Sequence, residues 1–149
     1  MPSSEKLAGL LEQCTLAGPV SDELIASAEA RLGVRFPRSY RAFLAAYGAA
    51  LCQGFEIAGL FHHADKSRPP LWSDIVASNL RIRHRDHLPE GYVAISSDGV
   101  EVKYYLDTAN MRDGGECVVI ALGPGVDSVR VAADFSEFVV RCFERSLAF

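Results

Sequence analysis

The chain has 149 residues, 49% of them hydrophobic and 23% charged, with a formal net charge of −4 at pH 7. That length suits a single domain over residues 1–149 and can bury a core without disulfides or metals. The acidic balance excludes general nucleic-acid binding, which needs a basic surface to neutralise phosphates. No stretch approaches the roughly 20 apolar residues of a membrane span. Glu5 and Glu12 interrupt the N-terminal segment where a signal peptide would be apolar, so the expected location is the cytoplasm.

Leu7, Leu10, Leu11 and Cys14 recur at helical spacing and predict a short first helix that Gly18-Pro19 breaks. Ser21 can cap a second helix, with Asp22 and Glu23 in the first turn where the dipole favours negative charge. Ile25, Ala28 and Leu32 form its buried stripe, and Gly33 ends it in a left-handed conformation. Pro37 suits the first turn of a third helix, whose face carries Tyr40, Phe43, Leu44 and Tyr47 and which Gly48 stops. Phe55 to Phe61 reads as a strand weakened by Gly59, and residues 62–72 as a polar loop stiffened by Pro69 and Pro70. Ser73 can cap a fourth helix carrying Ile75, Val76, Leu80 and Ile82.

Beyond Gly91 the apolar period changes to two. Tyr92 to Ser96 is a strand, and Asp98-Gly99 is a strong tight-turn signal. Val100, Val102, Tyr104 and Leu106 then alternate with Glu101, Lys103, Tyr105 and Asp107, which predicts one packed and one more polar face. Cys117 to Leu122 reads as an inner strand, and Gly123-Pro124-Gly125 turns the chain into Ser128 to Ala132. Phe135, Phe138, Val139, Cys142 and Phe143 give a last helix a wide apolar face that must dock on the sheet. The fold class is therefore α+β: an antiparallel meander sheet with N-terminal helices and a C-terminal helix packed around it.

Little here carries chemistry. Cys14, Cys117 and Cys142 fall on apolar stripes or an apolar strand and read as buried free thiols, in keeping with a reducing compartment. A zinc site or redox pair lacks ligand spacing. His62, His63 and Asp65 share one loop, and His84 and His87 stand three apart on a predicted helix, so a metal site drawn from both is conceivable. Against it, Arg81, Arg83 and Arg85 would repel a dication, and the run 81–87 reads better as a solvated basic face, with contact to an acidic partner as its functional alternative. No nucleophile is tied to a base, and Gly123 and Gly125 precede a strand, not the helix that a phosphate cradle needs. No cofactor is expected. Asp98, Glu101, Asp107, Asp113 and Glu116 form an acidic trend around the hairpin loops, either for solubility or to steer a basic protein.

The order of these features resembles the SUKH superfamily. ELIASAEARLGVRFPRSYRAFLAAYG matches its opening signature through Leu32-Gly33, Pro37, Tyr40, Phe43-Leu44 and Gly48. LPEGYVAISSDGVEVKYYLD matches its strand, aspartate-glycine turn and strand ending in leucine-aspartate, and ADFSEFV its entry to the closing helix. The similarity spans roughly residues 20–145. The chain departs from the family's usual pattern in having Tyr47-Gly48 for asparagine-glycine, and in following Asp98-Gly99 directly with Val100. The resemblance implies a protein-binding domain without catalytic residues. Bacterial members are commonly immunity proteins that block a cognate toxin, often a nuclease, and fungal relatives are regulatory scaffolds. An immunity protein with a cognate toxin domain as partner is therefore the leading expectation. The alternatives are a scaffold or adaptor, or a metal protein or enzyme built on His62, His63, His84 and His87. Expected contact residues are Asp98, Glu101, Tyr105, Asp107, Asp113 and Glu116, with Tyr105 and Trp72 as candidate anchors, although core burial is the simpler fate of Trp72.

Overall fold

The second helix, α2 (Asp22–Leu32), begins and ends as its caps dictate. The Ser21 hydroxyl accepts from Leu24 N at 3.2 Å, and Gly33 closes the helix at φ 70°. These details come from a computed structural model that describes residues 2–62 and 71–147. The loop residues His63, Asp65, Pro69 and Pro70 lie outside that range. Before α2 come α1 (Pro2–Leu11) and the two-residue strand β1 (Thr15–Leu16). After it come α3 (Arg38–Tyr47), β2 (Ala50–Cys52), β3 (Phe55–Ile57), α4 (Ile75–Arg85), β4 (Tyr92–Ser97) and β5 (Lys103–Asp107). A 3-10 turn (Thr108–Asn110), β6 (Val119–Gly123), β7 (Val126–Ala132) and α5 (Phe135–Glu144) complete the order.

The strands form two antiparallel sheets, β1-β2-β3 and the meander β4-β5-β6-β7, so the α+β expectation holds. A bulge joins the sheets. Ile95 drops out of register with β5 between Ala94 and Ser96, and its freed carbonyl turns outward to accept from Ala58 N at 2.8 Å. The Ser96 hydroxyl crosses the same seam to Glu56 O at 2.6 Å. One core runs beneath both sheets and the helices, with Leu11, Tyr40, Phe43, Ile57, Ile95, Leu106, Phe135 and Phe138 buried in it.

Several local expectations are corrected. Asp74, not Ser73, caps α4, accepting from Val76 N at 2.8 Å and Ala77 N at 2.9 Å. Ser73 instead gives its N–H and hydroxyl to the Glu56 carboxylate, both at 2.9 Å. Leu80 points outward at 41% exposure, because the inward stripe of α4 is Ile75, Asn79 and Ile82. Val100 does not begin a strand and stands 84% exposed, since the Asp98 carboxylate wraps the loop by accepting from Val100 N and Val102 N. The second face of the meander is not polar. Tyr105 is buried there among Ile82, Tyr92, Ala94 and Ile120, so the sheet is covered on both sides.

Cys14 is not a free thiol on the stripe of α1, which ends at Leu11. It forms a disulfide with Cys52, the Cα atoms 4.5 Å apart. The register explains the pairing: Thr15 lies opposite Leu51, so the antiparallel continuation sets Cys14 across from Cys52. Cys117 and Cys142 remain thiols, and burial pushes each to about 12. The backbone also packs closely at Gly59. A Cβ on Gly59 would sit 1.8 Å from the Gly48 carbonyl oxygen, which itself accepts from Leu60 N at 2.9 Å.

Candidate protein-binding surface

The six residues expected to meet a partner fall in three places. Asp98 and Glu101 sit in the β4–β5 loop, whose tip is Val100. Asp98 N donates to Val102 O at 2.9 Å and Gly99 N to the Ser97 hydroxyl at 3.1 Å, so the loop is braced by its own bonds. Asp107, Asp113 and Glu116 lie at the other end of β5. Five residues of extended chain separate the two groups by roughly 14 Å. Tyr105 lies between them, buried, its ring centroid 5.5 Å from that of Tyr92. Burial raises its phenol above the ordinary value, Asp86 adds to the rise, and Arg85 opposes it.

At the far end, two of the three carboxylates have structural partners. Asp107 accepts from Asn110 Nδ2 at 3.1 and 3.0 Å. Glu116 accepts from Ser39 N at 3.1 Å and the Ser39 hydroxyl at 2.7 Å, which caps α3 from 77 residues away. Pro37, at the N-cap position, has no side-chain oxygen for that task. Arg112 donates to Ala133 O and Arg38 N to Gly115 O, so the β5–β6 connection is tied down on both flanks. Asp113 is exposed there.

Where the sheets part beyond Ser96, a cleft of about 470 Å³ opens, lined by Cys52, Phe55, Glu56, Ser97, Asp98 and Lys103. Its acidic groups are engaged: Glu56 holds Ser73, and Asp98 holds its own loop. Trp72 is half-buried outside the main core. Its indole donates to Thr15 O at 3.0 Å and its ring tilts against Phe61. The expected histidine pair does not share a helical face. Asp86 turns the chain to extended backbone at ψ 144°, which leaves His84 on α4 and puts His87 beyond it. Among the described residues no group of three or more His, Cys, Asp or Glu could hold a metal ion, and His63 is outside them.

Sequence reasoning missed the projection of Val100 and the structural work of Glu116. The first had a signal, since a side chain following Asp-Gly belongs to the turn as readily as to the strand. The second is a contact between segments far apart in the chain and left no local trace.

No helix among the described residues is long and apolar enough to cross a membrane. None of the curated proteins matches the chain. The sequence does match the SUKH_5 profile, described as SMI1-KNR4 cell-wall, over residues 6–144. That match takes in residues 6–11 of α1, a helix that the resemblance from residue 20 had left out. With nearly its whole length matched, the chain belongs to the SUKH_5 family, SMI1-KNR4 cell-wall.

Proposed function

We propose that this protein is a non-enzymatic immunity protein, which binds a cognate toxin domain in the cytoplasm and blocks it stoichiometrically. The observation that carries this reading is family membership across residues 6–144, since bacterial members of the superfamily are commonly immunity proteins. The structure supports it through the use made of its polar groups. The carboxylates of Glu56, Asp98, Asp107 and Glu116 orient loops and helix ends, which suits a fixed exterior. A standard interface buries about 800 Å² on each partner. That is close to a tenth of the 8297 Å² this chain exposes.

The test is co-purification from the native cell, identification of what is bound, and titration of that partner's toxicity with this protein. A toxin inactivated at one equivalent supports the proposal. Capture only of kinases or wall-synthesis factors, with no toxin neutralised, replaces it with the scaffold reading. Catalytic turnover of a small compound by the purified chain overturns both.

A further inference from the structure

The register of the three-stranded sheet joins one pair of side chains that the core does not need. Thr15 lies opposite Leu51, and Ala17 N donates to Ala49 O at 2.9 Å, so Ala17 with Ala49 and Thr15 with Leu51 are hydrogen-bonded pairs. Cys14 and Cys52 then form a non-hydrogen-bonded pair, the kind whose facing Cα atoms approach to about 4.5 Å. Theirs are 4.5 Å apart and their sulfurs are joined. The register does not depend on that bond. Ala17 N on Ala49 O and Gly18 N on Tyr47 O, at 2.9 Å each, and the packed side chains of Leu16 and Ala50 hold it without the sulfurs. A chain of this length also buries its core without cross-links. A small thiol can reach the bond, since Cys14 is partly exposed and Cys52 lines the open cleft between the sheets. Cys117 and Cys142 stay out of exchange, because burial holds both thiols protonated up to about 12.

What the bond fastens is small. β1 has two residues and lies at the edge of its sheet. Thr15, next to Cys14, gives its carbonyl to the Trp72 indole at 3.0 Å. Ser73 follows, held by Glu56 of β3, and both line the same cleft as Cys52. We propose that Cys14–Cys52 is a reversible redox clasp. Closed, it fastens β1 to β2; opened by a thiol of the glutathione class, it lets β1 and the Trp72 indole part from the sheet in local openings. In opening, the external thiolate attacks the sulfur of Cys14, the more exposed of the two, and forms a mixed disulfide there. Cys52 leaves as a thiolate and takes a proton from water. A second external thiolate attacks the external sulfur of the mixed disulfide and releases Cys14, which is protonated in turn. Two electrons have passed to the protein, and the external thiols depart as their own disulfide. Oxidised glutathione reverses each step, and the backbone bonds between the strands keep the two thiols close enough to rejoin. Neither the clasp nor its test depends on the partner being a toxin.

The test places the full chain in glutathione buffers of graded thiol-to-disulfide ratio. Alkylation after an acid quench, read by mass, gives the fraction of closed bond, and hydrogen exchange gives the freedom of β1. The expected result is a single two-electron transition within the range of these buffers, reversed on return to the oxidised one, with the far-ultraviolet circular dichroism unchanged. Across it the Ala17 amide and the Trp72 indole hydrogen should exchange faster by about tenfold or more, while the Val93 and Leu106 amides of the meander keep their rates. Cys14→Ser should exchange at the reduced rate in every buffer. A bond that survives the most reducing buffer, or that breaks only as the circular dichroism is lost, is a structural staple and overturns the proposal. So does a reduced chain in which Ala17 and Trp72 exchange no faster, or a Cys14→Ser protein whose exchange still follows the glutathione ratio.

Discussion

Asn79 is the one fully buried polar residue among those described, and its amide does the work of a neighbouring strand. Its Oδ1 accepts from Ala94 N at 2.7 Å, and its Nδ2 donates to Ala94 O at 2.9 Å and to Ile75 O at 2.8 Å. Ala94 needs both bonds because its N–H and carbonyl face away from β5, toward α4. In Asn79→Ala that buried pair loses its partner, and each orphaned group costs roughly 1–3 kcal/mol. A urea titration should show a loss of about 2–4 kcal/mol with little change in slope. Glu116 makes a useful contrast. Glu116→Ala uncaps α3 and should cost about 1–2 kcal/mol, whereas Glu116→Gln keeps an acceptor for Ser39 and should cost less. If Glu116→Gln leaves stability near wild type yet abolishes partner binding, Glu116 serves the interface as well as the cap.

At the scale of elements, legibility follows how local the determining contact is. The helices could be read because their caps and stripes lie within a few residues of one another, as with Ser21, Ile25, Ala28 and Gly33. The strands Thr15–Leu16 and Ala50–Cys52 could not, since alternation has no meaning over two or three residues. The disulfide was hidden with them, because only the register of those strands places Cys14 opposite Cys52. The candidate site was legible to the same degree. Asp98-Gly99 was found as a turn, and the α4 basic run as a charged face. That β5 splits the acidic residues into two groups, and that α2 brings Leu32 O to Arg83 of the basic run, are facts of tertiary packing. The cysteines give this scale its own prediction. In air-purified protein, a thiol-directed label should leave the native chain almost unmodified at neutral pH, since both free thiols are held protonated up to about 12. Unfolding without reductant should then expose two labelling sites, Cys117 and Cys142, and reduction should expose all four. Four sites in unreduced protein trapped rapidly from the cell would place Cys14 and Cys52 there as a thiol pair, the state a reducing compartment favours.

The whole molecule depends on the seam. The three-stranded sheet is too small to stand alone: β1 has two residues and β2 and β3 three each. It is held by Ala58 N on Ile95 O, by the Ser96 hydroxyl on Glu56 O, by Glu56 on Ser73 at the start of α4, and by a core shared with the meander. Removing either sheet would strip Ile57 and Ile95 of packing together, so the two should unfold as one cooperative unit. The chain carries its own reporter for this. Trp72, its single tryptophan, is bonded to β1, while the far-ultraviolet circular dichroism is dominated by the helices and the meander. Urea curves followed by the two signals should superimpose, with the same midpoint and slope. A tryptophan transition at lower urea would mean that the small sheet opens independently. The same experiment on Ser96→Ala should lower both midpoints together, for a loss of about 1 kcal/mol in unfolding free energy, one hydrogen bond's net contribution. If only the tryptophan transition moved, the seam would be a local latch, and the cleft beside it would be free to open without unfolding the rest.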